Sequence, residues 1–253
     1  MLLPFTETGR GQPIMLVHSF PADRRIWSSV AAILSEKFRV ICPDLHGFGA
    51  NAPASKLSIN DMAKDIADLA VTLHAAPCAM AGLSMGGYVI QAVARDYPAT
   101  INRLILVDTK AAADNPQQRD ARDAIAALAV EHGSLAVFEK MRPNLLSPDA
   151  KPAAVGFAKM IAEAQSPLTI AAASRAMRDR DDYSELLPKL KIPIDLIFGE
   201  FDAGMPPDAV KALHDSVPSA SRTQISNAGH LSPLENPAEV AAAIASALQS
   251  KPL

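Results

Sequence analysis

Gly82-Leu83-Ser84-Met85-Gly86 holds the residues best able to do chemistry in this chain of 253 residues. An apolar run at 77–81, suited to a buried strand, precedes it, and a helical pattern follows at once over 87–94. A serine between strand and helix sits in a tight, strained turn, so the residues two before and two after must be nearly free of side chain. Gly82 and Gly86 meet that need. The turn exposes the hydroxyl beside the positive end of a helix, which favours developing negative charge. The chemistry implied is that of a serine nucleophile. With Gly and Ser each near ~7% of residues, G-x-S-x-G arises by chance in roughly one in ten chains of this length. A glycine-rich turn capping an ordinary helix is therefore the competing explanation, and context decides.

A serine hydroxyl needs a base within hydrogen-bond reach. Of six histidines, His230 stands in the loop Asn227-Ala228-Gly229-His230-Leu231-Ser232-Pro233, after a strand-like stretch at 221–226 and before a helix from Pro237. The base in turn needs a carboxylate to fix its tautomer. A strand is predicted at 192–199, and the loop leaving it carries Glu200 and Asp202. Asp202, past the strand end and before Pro206-Pro207, is the preferred partner, with a turn or capping aspartate as the alternative. Acyl transfer also needs donors for the charged oxygen. The amide of Met85 is one candidate, and that of Phe20, after the buried run 13–17, is the other.

These motifs together resemble the α/β-hydrolase superfamily, in particular its small, cofactor-free esterase and lactonase branch. The elbow, the order Ser84, Asp202, His230 and the loop His18-Ser19-Phe20-Pro21 carry the resemblance. So do Cys42-Pro43-Asp44-Leu45-His46-Gly47-Phe48-Gly49 and Gly229-His230-Leu231-Ser232-Pro233-Leu234-Glu235-Asn236-Pro237. The likeness covers roughly the first 110 and last 65 residues. Ser19 stands where the family usually has glycine, a cost if that position requires positive φ. The compact middle segment and the histidine loop are most similar to 3-oxoadipate enol-lactonase-like hydrolases.

The elements that must position these groups alternate. Strand-like runs at 14–18, 39–43, 77–82 and 102–107 are separated by helical stretches near 28–37, 59–75 and 86–96. That pattern predicts an α/β fold, a mostly parallel sheet with helices on both faces. From 112 to 185 the strands stop and an alanine-rich helical segment intervenes. The predicted organisation is a hydrolase core at 1–111 and 186–253 with a helical cap at 112–185. Phe138, Met141, Phe157, Met160 and Met177 are candidates to line a pocket or to pack the cap. From Asp114 to Asp182 there are nine Lys/Arg and ten Asp/Glu, so bulk charge gives no sign of an anionic substrate.

Composition narrows the rest. At 49% hydrophobic residues the chain can bury a large core, and a net charge of −3 with no long basic run argues against nucleic acid. The first ten residues lack the pattern of a secretory signal, and no apolar run approaches the ~18 residues of a membrane span. Cys42 and Cys78 fall in predicted strands and set no disulfide or metal framework, so a cytoplasmic protein without metal or cofactor is expected. The expected reaction is two-step cleavage of a small ester or lactone. Cofactor-free perhydrolysis, carbon–carbon bond hydrolysis and a small-molecule receptor with vestigial turnover are the alternatives. The sequence leaves the oligomeric state open.

Overall fold

The computed structural model describes residues 2–250; Met1 and residues 251–253, at the ends of the two predicted core segments, lie outside the described residues. Seven strands form one sheet: β1 (Phe5–Thr8), β2 (Pro13–Val17), β3 (Arg39–Pro43), β4 (Cys78–Leu83), β5 (Ile101–Val107), β6 (Ile194–Gly199) and β7 (Ser221–Ile225). Their order is β1-β3-β2-β4-β5-β6-β7, with β1 antiparallel to β3 and all other pairs parallel. This is the mostly parallel α/β sheet that the alternation predicts, with strand ends within about two residues of expectation.

Nine α-helices cover it: α1 (Ser28–Leu34), α2 (Ile59–Thr72), α3 (Met85–Asp96), α4 (Pro116–Leu145), α5 (Pro152–Glu163), α6 (Pro167–Arg178), α7 (Pro207–Ser216), α8 (Ser232–Glu235) and α9 (Pro237–Gln249), counted among the described residues. The two sheet faces bury separate cores. Ile14, Leu16, Ile105 and Ile197 pack with Val30, Leu34, Val240 and Ile244 of α1 and α9. Met15, Val17, Leu104 and Leu196 pack with Met62, Ile66, Val89 and Leu213 of α2, α3 and α7. Central strands covered on both faces read as near-continuous apolar runs, broken here by Asn102 and by the buried ion pair of Arg103 in β5 with Asp195 in β6. Each fully buried aliphatic side chain contributes about 1.5–3 kcal/mol.

From β2 the chain crosses to β3 and then returns to β4 on the other side of β2. The crevice at the carboxyl ends of β2 and β4 is therefore the point where winding reverses, the usual place for a site in an open α/β sheet. Helices α4, α5 and α6 fill the interval between β5 and β6. Gly133, at φ 81° and ψ 175°, breaks α4 into two helical segments. A capping box at Asn115 and Gln118 starts the first. Hydrogen bonds fasten these helices to the core: Gln165 Nε2 donates to Asp23 Oδ2 (2.8 Å), and Thr169 Oγ1 donates to the Gly47 carbonyl (3.0 Å).

β1 is absent from the sequence expectation. It has four residues and is mostly exposed, and its place comes from pairing with β3 at the sheet edge rather than from an apolar pattern. Helix α8, one turn long, is equally too short to announce itself.

Candidate active site

Ser84 joins β4 to α3 with φ 52° and ψ −111°, a backbone conformation that costs a non-glycine residue strain. The flanking glycines make the turn possible. A Cβ on Gly82 would stand 2.4 Å from the Gly86 carbonyl oxygen, and one on Gly86 would stand 2.3 Å from that of Val17. Neither position admits a side chain.

The three residues predicted from separate loops come together. The Ser84 hydroxyl donates to His230 Nε2 at 2.7 Å, and His230 Nδ1 donates to Asp202 Oδ2 at 2.9 Å and Oδ1 at 3.0 Å. Asp202 is buried and its Oδ1 also accepts from the Gly204 amide at 2.7 Å. Burial disfavours the charged form of His230, but the charge and hydrogen bond of Asp202 outweigh it and leave its pKa above the ordinary value. Glu200, the rival acid, is exposed and accepts from the Asn227 amide (2.9 Å), away from the imidazole.

Phe20 lines the same cavity, and Met85 is the first residue of α3. Among the described residues neither backbone amide has a hydrogen-bond acceptor in the chain, so both are free to donate to an oxyanion. His18 is a member of the loop rather than of the hydrogen-bonded chain at Ser84. Its Nδ1 donates to the Ser19 carbonyl and its Nε2 accepts from the Leu45 amide, both at 2.9 Å, while burial pushes its pKa down. His46, His74, His132 and His214 lie outside the site.

Ser19 is not in the left-handed region, so serine in place of glycine meets no backbone penalty there. Its cost lies elsewhere. The Oγ is buried without a hydrogen-bond partner and borders a small apolar recess lined by Ile26, Phe138, Leu145, Ile161 and Leu231.

The cavity above Ser84 measures about 370 Å³, a small-molecule size. Of the five apolar candidates, Met141 and Met177 line it; Phe138 is in the core, Phe157 packs against it, and Met160 is 45% exposed. The wall formed by α4 is polar in a way bulk charge does not reveal. Lys110, Arg122 and Lys140 all face the cavity. Asp114 accepts from Lys110 (3.1 Å), Arg122 (3.0 Å) and the buried Arg180 (3.0 Å), so one carboxylate meets three cations. Among the described residues no ion pair includes Lys140, whose neighbour Glu139 pairs with Arg142 and Lys159 instead.

A second carboxyl, Asp108, also reaches the cavity. It follows β5 at φ 46° and is fully buried. Oδ1 accepts from the Gly199 amide (2.7 Å) and Oδ2 from the Ser232 hydroxyl (2.5 Å). Burial, and then the neighbouring Asp202, push its pKa up to about 8. In the sequence Asp108 is only the residue after a strand; the signal that marks it is its position at a carboxyl strand end beside the elbow strand. The two cysteines are buried and free, and burial pushes both thiols up to about 12, which makes them inert. Among the described residues no helix is long and apolar enough to cross a membrane, and no group of three His, Cys, Asp or Glu is placed to hold a metal ion.

Known proteins share this arrangement of chain. A thermophilic esterase from Thermogutta terrifontis, solved with malate bound, is 36% identical and superposes with a TM-score of 0.93 over 98% of this chain and 93% of its own. The enol-lactonase from Burkholderia xenovorans LB400 is 25% identical, with a TM-score of 0.89 over 98% and 96%. A bromoperoxidase from Bacillus anthracis, at 20% identity and a TM-score of 0.85 over 97% and 95%, shares the fold. The family model for the alpha/beta hydrolase fold matches residues 12–237. With its sheet, its inserted helices and that match, the chain belongs to the α/β-hydrolase family.

Proposed function

We propose that this α/β-hydrolase is a serine hydrolase that cleaves a carboxylic ester or lactone of a small organic molecule through an acyl-enzyme on Ser84. The observation that carries the reading is the unbroken hydrogen-bonded chain from Asp202 through His230 to Ser84, opening into a cavity of about 370 Å³. Ser84 attacks the carbonyl carbon as His230 takes its proton, and Asp202 steadies the imidazolium. The amides of Phe20 and Met85 hold the oxyanion. His230 then protonates the leaving alcohol, and water, activated by the same imidazole, releases the acid. Helices α4 to α6 act as a cap that keeps bulk water out, with α4 and Met177 of α6 forming the far wall. The esterase and enol-lactonase likenesses support both substrate classes.

The test is steady-state hydrolysis of a panel of short-chain esters and simple lactones by wild type and Ser84→Ala. Turnover confined to wild type supports the reading, and its dependence on acyl length maps the cavity. Equal turnover by both proteins overturns it. Adding hydrogen peroxide to the same panel separates perhydrolysis, in which peroxide replaces water in the second step.

A further inference from the structure

Asp108 is a carboxyl that the acyl-transfer chemistry does not use, placed where a carboxyl is costly. It is fully buried, lies in the left-handed region, and shares its surroundings with the buried carboxyl of Asp202. Withdrawal from water and the neighbouring charge of Asp202 both disfavour the ionised form of Asp108. Strain and burial of this kind persist only where the surrounding structure imposes them, and they concentrate at functional sites.

Its contacts show what it does there. Gly199, on Oδ1, is three residues before Asp202; Ser232, on Oδ2, is two residues after His230. One buried side chain thus joins the end of β6, which launches the acid, to the start of α8, which follows the base. The loops are also joined through the backbone, the Glu200 amide donating to the Ile225 carbonyl (2.9 Å) and the Phe201 amide to the Ala228 carbonyl (2.8 Å), and at the surface by Glu200, which accepts from the Asn227 amide. Of the ties made by a side chain, that of Asp108 is the buried one that reaches both Gly199 and Ser232. We propose that Asp108 is a positioning residue that clamps the acid and base loops together and so sets the reach of His230 to Ser84, a role that rests on the triad reading above.

The groups facing Asp108 are Asp202, His230, the Ser232 hydroxyl and the Gly199 amide, and Arg122 of the cap acts by its charge on His230. Burial and the neighbouring Asp202 favour the protonated form of Asp108. In that form Oδ1 still accepts from the Gly199 amide, while a hydroxyl on Oδ2 donates to Ser232 Oγ, the reverse of the bond that the carboxylate receives from Ser232. Asparagine offers the same pattern of one acceptor and one donor.

The experiment compares Asp108→Asn, Asp108→Ala and Ser232→Ala with wild type. It measures kcat and KM on one ester, the pH profile, thermal melting, and the downfield proton resonance of His230 Nδ1–H. Asp108→Ala is expected to lower kcat by about 100-fold with KM within about threefold, the loss that follows a misplacement near 1 Å. The resonance is expected to broaden in the same variant. Asp108→Asn is expected to retain wild-type kcat at pH 7 within about threefold and to lack the inflection near pH 8 that deprotonation of Asp108 is expected to give wild type. Ser232→Ala, which keeps the Gly199 contact, falls between them and serves if Asp108→Ala does not fold. The clamp is overturned if folded Asp108→Ala keeps both its kcat and the resonance, or if Asp108→Asn is as impaired as Asp108→Ala. Absence of ester turnover in wild type overturns the hydrolase reading, while the resonance still reports whether Asp108 holds His230.

Discussion

His230 presents Nδ1 to both oxygens of Asp202, at 2.9 and 3.0 Å, so the carboxylate faces the imidazole squarely while Nε2 is left to Ser84. The raised pKa of His230 has a defined sign in the kinetics. A base must be unprotonated, so kcat/KM rises with pH along a limb whose midpoint lies above the ordinary ~6.5. Asp202→Asn removes the group that opposes desolvation. It is expected to move that midpoint down and to lower kcat by about 10⁴. A limb at or below 6.5 in wild type, with chemistry rate-limiting, contradicts the assignment of His230 as base.

The unpartnered Ser19 hydroxyl predicts a stabilising substitution. A buried polar group without a partner costs about 1–3 kcal/mol, and Ser19→Ala removes it without changing the backbone. In a chain of this size each kcal/mol raises Tm by roughly 2–4 °C. A calorimetric scan that shows a lower Tm for Ser19→Ala shows instead that the hydroxyl is satisfied.

Asp114 predicts the opposite. Its carboxylate has no exposed surface and serves Lys110, Arg122 and the equally buried Arg180, which also lies 4.1 Å over the Tyr88 ring. Burial works against its charge, yet the hydrogen bond from Arg180 and the charge of Arg122 hold it well below the usual carboxylate range. Asp114→Asn strands the Arg180 charge and is expected to cost about 3–5 kcal/mol in urea unfolding at pH 7. A depressed folded-state pKa gives stability that is present above the unfolded value and lost as pH falls. The gap between the two proteins should therefore close below about pH 4. A gap that is constant with pH contradicts the ionic account.

The cavity wall predicts a substrate preference. Lys140 has no ion pair among the described residues, and Arg122 gives only its Nε to Asp114, leaving its terminal nitrogens for a ligand. Monoethyl glutarate is expected to exceed ethyl pentanoate in kcat/KM by about tenfold, equivalent to 1.4 kcal/mol. The ratio should shrink in Lys140→Met, in Arg122→Gln and in high salt. A ratio indifferent to all three removes these cations from substrate selection.

What the sequence reveals follows from how local each signal is. The elbow is legible because the tight turn itself sets Gly82 against the Gly86 backbone, while the demand on Gly86 comes from the distant backbone of Val17 and His18 and shows in the sequence only through the motif. The central strand β4 is legible because burial on both faces leaves only apolar positions. Ser84 and Asp202 are legible because each follows a strand of that kind. His230 follows the exposed edge strand β7 and is marked only by its loop between a strand-like stretch and a helix. Asp108 is not, since its importance depends on Gly199 and Ser232, 91 and 124 residues away. Nor is the charged wall, because a helical segment with balanced charge does not disclose which residues turn inward; the break at Gly133 and the packing of α4 decide that.

The most direct test of the central claim is to trap the acyl-enzyme. Wild type mixed with an activated ester or a fluorophosphonate, then digested and analysed by mass spectrometry, should carry one adduct on the peptide containing Ser84, and Ser84→Ala should carry none. An adduct on another residue, or full ester turnover without any adduct at Ser84, contradicts the account.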